Sequence, residues 1–268
     1  MAHAHHSGGV LTMDVLAARS GLRDVSPALK ASLSVLSLIL CVGAADAVVG
    51  AAVAVSMLCT IWRLGKVSQH RLLHLLRLPL VFLAVSCVVI LLEPGEHPGS
   101  LARLTLGDFV LCVTQTSLAR ALTLFFQALG AVCCLFFLSM TTPMPQLIEL
   151  LRKCRLPEIM IELMYLIYRY LFVLLQVQRQ MTEAAAARLG YNGLRRSVST
   201  AGRISGALLA SSFRRSSACY DAMLARGYDG KLAFLTSTPK LRARHALPAA
   251  GYLLLVGVLI VFRKRGVF

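Results

Sequence analysis

The chain has 268 residues, 57% of them hydrophobic and only 15% charged, with a mean hydropathy of +0.71 and a formal net charge of +16. An average soluble domain is about a quarter charged, so this composition excludes an ordinary soluble globule and points to a membrane protein. The positive charge is concentrated in residues 143–247, which hold 16 Lys/Arg against 6 Asp/Glu. Such a block beside apolar spans belongs on the cytoplasmic face and suits anionic lipid or an acidic protein.

Residues 1–28 read as a cytoplasmic N-terminal tail. The first thirty residues carry Arg19, Arg23 and Lys30 but no apolar core of the length that a cleavable signal peptide needs. The opening "MAHAHH" could hold a divalent cation only while Met1 stays in place, and it reads as a harmless tail. Residues 29–142 predict a bundle of four spans. The apolar stretch 31–62 is too long for one crossing and short for two, so it reads as a hairpin of helices 29–45 and 47–63. Its tip carries Gly43 and Asp46, the latter at the outer surface and not in a proton relay. A third span, 72–92, is closed by Glu93, Pro94 and Gly95, and a loop with Glu96, Pro98 and Gly99 follows. Residues 105–142 read as a short lead helix and a span, stopped at "TTPMP" because Pro143 and Pro145 cannot continue a helix.

Residues 143–246 differ. A short helix is expected over 146–154, and Pro157 suits the first turn of the next. That helix begins apolar and ends polar and Ala-rich, and its roughly 33 residues would span about 50 Å. Glu158, Glu162 and Arg169 interrupt its apolar half, so it is expected along the membrane interface or beneath the bundle. A turn with Gly190, Asn192 and Gly193 leads to a further helix over 197–226. Gly202, Gly206 and Ala210 recur there every four residues, a spacing that lets two helices approach closely. These three positions are therefore expected at a tight crossing of the two long helices. Residues 247–268 make a last, short span and a C-terminal tail. The predicted fold is an all-α membrane protein of about five transmembrane helices, with a cytoplasmic domain of two long crossed helices inserted before the last span.

Charge sets the orientation. The 63–71 loop carries Arg63, Lys66 and Arg71, whereas the 93–108 loop carries Glu93, Glu96 and Asp108 against Arg103. The first loop, residues 143–246 and the N-terminus fall inside. Arg263, Lys264 and Arg265 then fall outside, against the rule.

Little in the chain suggests chemistry of its own. Of the eight cysteines, Cys41, Cys59, Cys87, Cys133 and Cys134 lie in apolar runs and no CxxC occurs, which reads as reduced packing residues. Gly65-Lys66 is followed by Val67 without the upstream glycine of a P-loop. His70 and His74 share a helix face but lack further ligands of metal-site spacing. The basic 195–215 segment, with Arg195, Arg196, Arg203, Arg214 and Arg215, has only Phe213 as an interleaved aromatic, so nucleic acid is not expected. No nucleophile–base pair, cofactor site or metal site is expected, and the chain does not read as an enzyme. A stand-alone secondary transporter is the alternative reading, and would need polar or broken helices at mid-bilayer.

Two elements stand out in the polar stretch: "ARL" at 187–189 and "ARG" at 225–227, each at the carboxyl end of a predicted helix. A cation there complements the helix dipole by about 0.3–1 kcal/mol. Two such tips also suit docking into two similar grooves, since the planar guanidinium can hold a carboxylate bidentately. With "LSMTTPMPQLIELLRKCRLPEIMIELMYLIYRY" and the flanking spans, these elements resemble the transmembrane T component of energy-coupling factor (ECF) transporters, most of all its cobalt/nickel branch, CbiQ. The likeness runs over residues 30–262.

The resemblance implies a non-catalytic scaffold in a bacterial inner membrane, contacting lipid and a membrane subunit that binds the substrate, with cobalt the implied cargo. It also implies a cytosolic dimer of ABC-type ATPases on the other side. Carried over by position, Ala187, Arg188 and Leu189 form one ATPase-coupling motif and Ala225, Arg226 and Gly227 the other. Leu189 departs from the usual glycine, which follows one residue later, and "SPALK" departs from the usual amino-terminal opening. The implied mechanism has ATP closing the ATPase dimer and dragging the arginine tips. Met160, Leu163, Met164 and Ile167 would pass the motion on, methionine suiting a face that repacks.

Overall fold

The computed structural model describes residues 17, 20–22, 25–63, 65, 69–91, 93–94, 102–106, 109–230 and 243–264. Eight helices are present among these residues: α1 (Pro27–Ala44), α2 (Ala47–Arg63), α3 (Gln69–Leu91), α4 (Gln115–Thr141), α5 (Met144–Lys153), α6 (Glu158–Ala187), α7 (Leu194–Leu224) and α8 (Ala243–Lys264). They fall into two compact units, each taken by itself: residues 144–230 form one, and the other described residues a helical bundle. Pro27–Ala44, Leu72–Leu91 and Gln115–Thr141 are long and apolar enough to cross a membrane, while Ala47–Arg63 and Leu247–Arg263 are apolar but shorter. The chain is an integral membrane protein.

The first apolar stretch breaks where its length requires. Pro27 occupies the first turn of α1. Ala45 turns the chain with a left-handed φ of 50°, and Asp46 Oδ1 accepts the Val48 N–H at 3.3 Å. Between α3 and α4 the expectation fails. Among the described residues no lead helix precedes the span, 109–113 are a strand, and the regular structure is helical apart from one small sheet. Strands β1 (Glu93–Pro94), β2 (Ala102–Leu106) and β3 (Phe109–Val113) form an antiparallel sheet in the order β1-β3-β2. Leu106 pairs with Phe109 across two intervening residues, Gly107 and Asp108. An evenly apolar run such as 109–113 fits a strand as well as a helix, which concealed this pairing. Thr114 then starts α4 with a capping box, its side chain accepting the Ser117 N–H at 3.2 Å while Ser117 Oγ accepts the Thr114 N–H at 3.0 Å.

The bundle core forms around α2 and α4. Val49, Val53, Met57 and Ile61 recur every fourth residue of α2, one face of a helix, and pack in one buried cluster with Cys133, Phe137 and Met140 of α4. The two backbones come close at glycines. A Cβ on Gly50 would lie 2.6 Å from the Phe126 carbonyl, and one on Gly130 would lie 2.8 Å from Cys41 Sγ and 2.9 Å from Gly50 O.

The tight crossing is therefore in the bundle and not at Gly202, Gly206 and Ala210, which are all exposed. A Cβ on Gly202 or Gly206 would meet nothing within 4 Å. Half-buried residues of α7, among them Ile204, Leu208, Ser212, Cys219 and Met223, fall on the opposite side at 3.6 residues per turn. Spacing identified a smooth face but could not say which face meets α6.

Among the described residues Lys30 is the largest fully buried side chain, 1% exposed. Its Nζ donates to Thr141 O at 2.7 Å and to Leu22 O at 3.2 Å. In a continuing helix Thr141 O would accept the N–H of residue 145, but that residue is proline and has none. Lys30 thus supplies, from 111 positions away, the donor that "TTPMP" removes, and its charge meets the negative end of the α4 dipole. Lys30→Met keeps the apolar stem and orphans that carbonyl, so it should cost about 1–3 kcal/mol of bundle stability. Thermal unfolding in detergent checks this; an unchanged midpoint would mean that the carbonyl has another donor.

At the far end of α8, Arg263 Nε donates to Asp46 Oδ2 at 2.6 Å. The cationic end of the last helix, which the charge rule leaves on the wrong side, thus lies beside the carboxylate of the α1–α2 turn. Asp46 is half-buried and ion-paired. Ser56 Oγ and Tyr252 Oη, 2.8 Å apart, tie α8 to α2 as well. The N-terminal histidines, the loop with Glu96, Pro98 and Gly99, Lys66, Asp108, Arg265 and the side chain of His70 lie outside the described residues.

Candidate docking site at two helix ends

The second unit is built from α5, α6 and α7. Pro145 sits in the first turn of α5 and Pro157 precedes α6, whose first turn carries Glu158 toward the positive dipole end. Ile148 of α5 is buried with Ile161 and Tyr165 of α6, and Tyr165 Oη donates to Pro145 O at 3.3 Å. Met164 packs partly against this cluster. Met160, Leu163 and Ile167 are exposed, Ile167 by 63%. An apolar groove of about 520 Å³ runs between α6 and α7, lined by Leu163, Ile167, Tyr170, Phe213, Cys219 and Met223 among others.

Both long helices end in the same backbone figure. At α6, Gly190 N donates to Ala185 O at 2.9 Å and Leu189 N to Ala186 O at 3.0 Å. At α7, Tyr228 N donates to Met223 O and Gly227 N to Leu224 O, both at 3.0 Å. Each is a Schellman pair, a six-to-one bond enclosing a five-to-two bond. Leu189 and Gly227 are the left-handed residues, with φ of 56° and 80°, and Arg188 and Arg226 each stand one place before them; α6 caps at Arg188 and α7 at Ala225. All six residues of the two elements are exposed.

This geometry gives the Leu189 departure a cost. The third residue of each element must turn left-handed, which glycine does without strain and leucine does not. Gly190 is needed for a different reason. A Cβ there would lie 2.8 Å from Ala185 O and 3.1 Å from Thr200 Oγ1. Because the Leu189 side chain is 66% exposed, Leu189→Gly should stabilise this unit by about 1 kcal/mol, the left-handed penalty less the entropy of glycine. A higher thermal midpoint is the expected reading; a lower one would show that the leucine side chain is held.

The two ends differ in what lies beside them. Tyr228 Oη donates to Glu162 Oε2 at 3.3 Å, fastening the residue after the second element to α6. Desolvation, and then the facing Glu162 carboxylate, hold the Tyr228 phenol above its ordinary pKa. The matching place after the first element is held by Gly190, and the tyrosine that follows it, Tyr191, is exposed. Sequence reasoning missed Glu162 as a partner and read it only as an interruption of an apolar run.

A helical membrane bundle and a second unit with two long helices, each carrying an exposed arginine at its end, define an integral membrane component. The family profile described as "CbiQ: Cobalt transport protein" matches residues 19–236, and the chain belongs to that family. It is 31% identical to the "Putative fused cobalt transport protein CbiMQ" of Methanocorpusculum labreanum over 221 residues, 82% of this chain and 37% of that protein. It is 30% identical over 186 residues to the "Cobalt transport protein CbiQ" of Rhodobacter capsulatus, 66% of this chain and 71% of that one. The Salmonella typhimurium "Cobalt transport protein CbiQ" is 29% identical over 130 residues, 48% of this chain and 58% of that protein. The chain thus spans just over a third of the fused protein and under two thirds of the Salmonella one.

Proposed function

We propose that the chain is the transmembrane coupling subunit of an ECF-type importer for a divalent metal ion, with cobalt as the first candidate. The observation that carries this reading is the identical Schellman geometry that holds an exposed arginine at the end of both long helices. Two equal tips suit two equal grooves, those of a cytosolic ATPase dimer, with Ala187, Arg188 and Leu189 in one and Ala225, Arg226 and Gly227 in the other. In the proposed topology α1, α2, α3, α4 and α8 all cross the bacterial inner membrane, with residues 1–28 and 143–246 in the cytoplasm. The Asp46–Arg263 pair then lies at the outer face. The substrate-binding subunit meets the exposed apolar faces of α6 and α7. The fused CbiMQ relative supports a second membrane partner, its name joining two parts in one chain.

In mechanism, the ATPases close on ATP and draw their grooves together. The arginine tips follow, because a desolvated guanidinium parted from its carboxylate costs several kcal/mol, about 3–5 for a buried pair. Long helices carry the displacement to their apolar halves, where Leu163 and Ile167 present side chains to the substrate subunit. The test is the chain without residues 1–9, purified alone in detergent. It should neither hydrolyse ATP nor bind Co²⁺ with micromolar affinity, about −8 kcal/mol, by calorimetry. Metal binding should appear when the copurifying membrane subunit is added. Tight binding by the chain alone would replace this reading with a self-sufficient carrier.

A further inference from the structure

The two helix ends share a backbone but not an electrostatic setting. Around the first, Arg188 of the α6 end and Arg195, Arg196 and Arg203 of α7 line a single open concavity of about 860 Å³, together with Asn192, Ser199 and Thr200. The turn that sets their spacing is internally braced. Thr200 Oγ1 donates to Gly190 O at 2.8 Å, Ser197 Oγ to Gly193 O at 2.8 Å, and Asn192 N to Leu189 O at 3.2 Å. All four arginines are exposed, and none has a carboxylate partner among the described residues. Residues 184–220 contain no Asp or Glu, so nothing in the neighbouring sequence offsets them. The second end is mixed in sign. Arg226 stands between Asp221 and Asp229, and Tyr228 is bonded to Glu162.

Four guanidinium groups on one concave wall create a single-sign field that a flat, mixed surface lacks, and such a field raises the encounter rate with an opposite surface. The forked geometry of arginine suits carboxylates. Because Arg188 itself lines the concavity, whatever receives that tip also faces Arg195, Arg196 and Arg203. We infer that these three arginines form an acid-receptive socket around the Arg188 tip, taking Asp and Glu side chains on the ATPase rim beside the groove. This end leads the docking, and the Arg226 end seats second. The inference rests on the ATPase-coupling reading and gives its two nominally equal tips different roles.

Association of the full-length chain in nanodiscs with its copurifying ATPases tests it, followed by stopped-flow between low and physiological salt. Arg195→Gln, Arg196→Gln and Arg203→Gln together should slow association about tenfold at low salt and flatten its salt dependence, with a much smaller change in dissociation. The matching Arg→Lys triple should recover most of the rate. Removing the same charge at the end of α5, with Arg152→Gln, Lys153→Gln and Arg155→Gln, should change it less than twofold. Equal slowing by the two Gln triples would overturn the socket in favour of a net-charge effect. So would wild-type ATPase kinetics in the 195/196/203 triple combined with lost binding to phosphatidylglycerol vesicles, which would assign the concavity to lipid phosphate. If the wild-type chain binds no ATPase at all, the coupling reading fails first and takes the socket with it.

Discussion

Changing Arg188 and Arg226 together to alanine is expected to abolish ATP-driven uptake while the protein still inserts and folds. Both side chains are exposed and stand at the ends of helices whose last carbonyls accept backbone N–H groups. Their loss removes only a dipole contribution of about 0.3–1 kcal/mol each. At the partner the balance is different. Truncating one member of a buried charged pair costs about 2–5 kcal/mol, much of it from the charge left unpaired. Two losses at the low end amount to roughly a thousandfold in affinity. The measurement is metal uptake by vesicles holding the whole complex, with membrane content and ATPase pull-down scored on the same samples. Each single variant should retain part of the activity, because the other tip still engages. Wild-type uptake by the double variant would remove the coupling role from both elements.

Gly50→Leu should dismantle the bundle, whereas Gly206→Leu should leave the fold intact. Overpacking a core costs about 1–3 kcal/mol when side chains can yield. At Gly50 the obstacle is the backbone of Phe126 and Gln127, 2.6–2.7 Å from a Cβ, and backbone yields only if α2 and α4 separate. Even Gly50→Ala should lower the thermal midpoint. Gly206 lies on an exposed helix face with open space around it. There leucine gains helix propensity of about 0.5–1 kcal/mol over glycine. Yield of monodisperse protein and unfolding midpoints separate the two cases. A Gly206→Leu chain that unfolds would put the small-residue stripe back at an internal contact; one that folds but transports poorly would place a partner on it.

These contrasts mark where local signals suffice. The long apolar runs, the turn at Ala45–Asp46, the stop at "TTPMP" and the arginine-bearing ends of α6 and α7 were legible because each depends on a few adjacent residues. Run length, missing proline N–H groups and helix-ending glycines act locally, whatever the rest of the chain does. Strand β3 was misread because Phe109-Val110-Leu111-Cys112-Val113 is equally apolar as helix or strand, and its partners come from β1 and β2. Gly50 and Gly130 each sit alone in an oily helix, and only the meeting of α2 and α4 gives them a purpose. The regular Gly202–Gly206–Ala210 spacing described a smooth face, but the half-buried residues, Ile204, Leu208 and Met223 among them, lie on the other side, and Met223 lines the groove beside α6. Lys30 in an apolar helix is a liability until Thr141, orphaned by a proline far along the chain, offers it a carbonyl. What the sequence by itself determined was where helices begin and end. Which sides touch, and which charges find partners, came from tertiary packing, because pairing energies depend on groups that no local window contains.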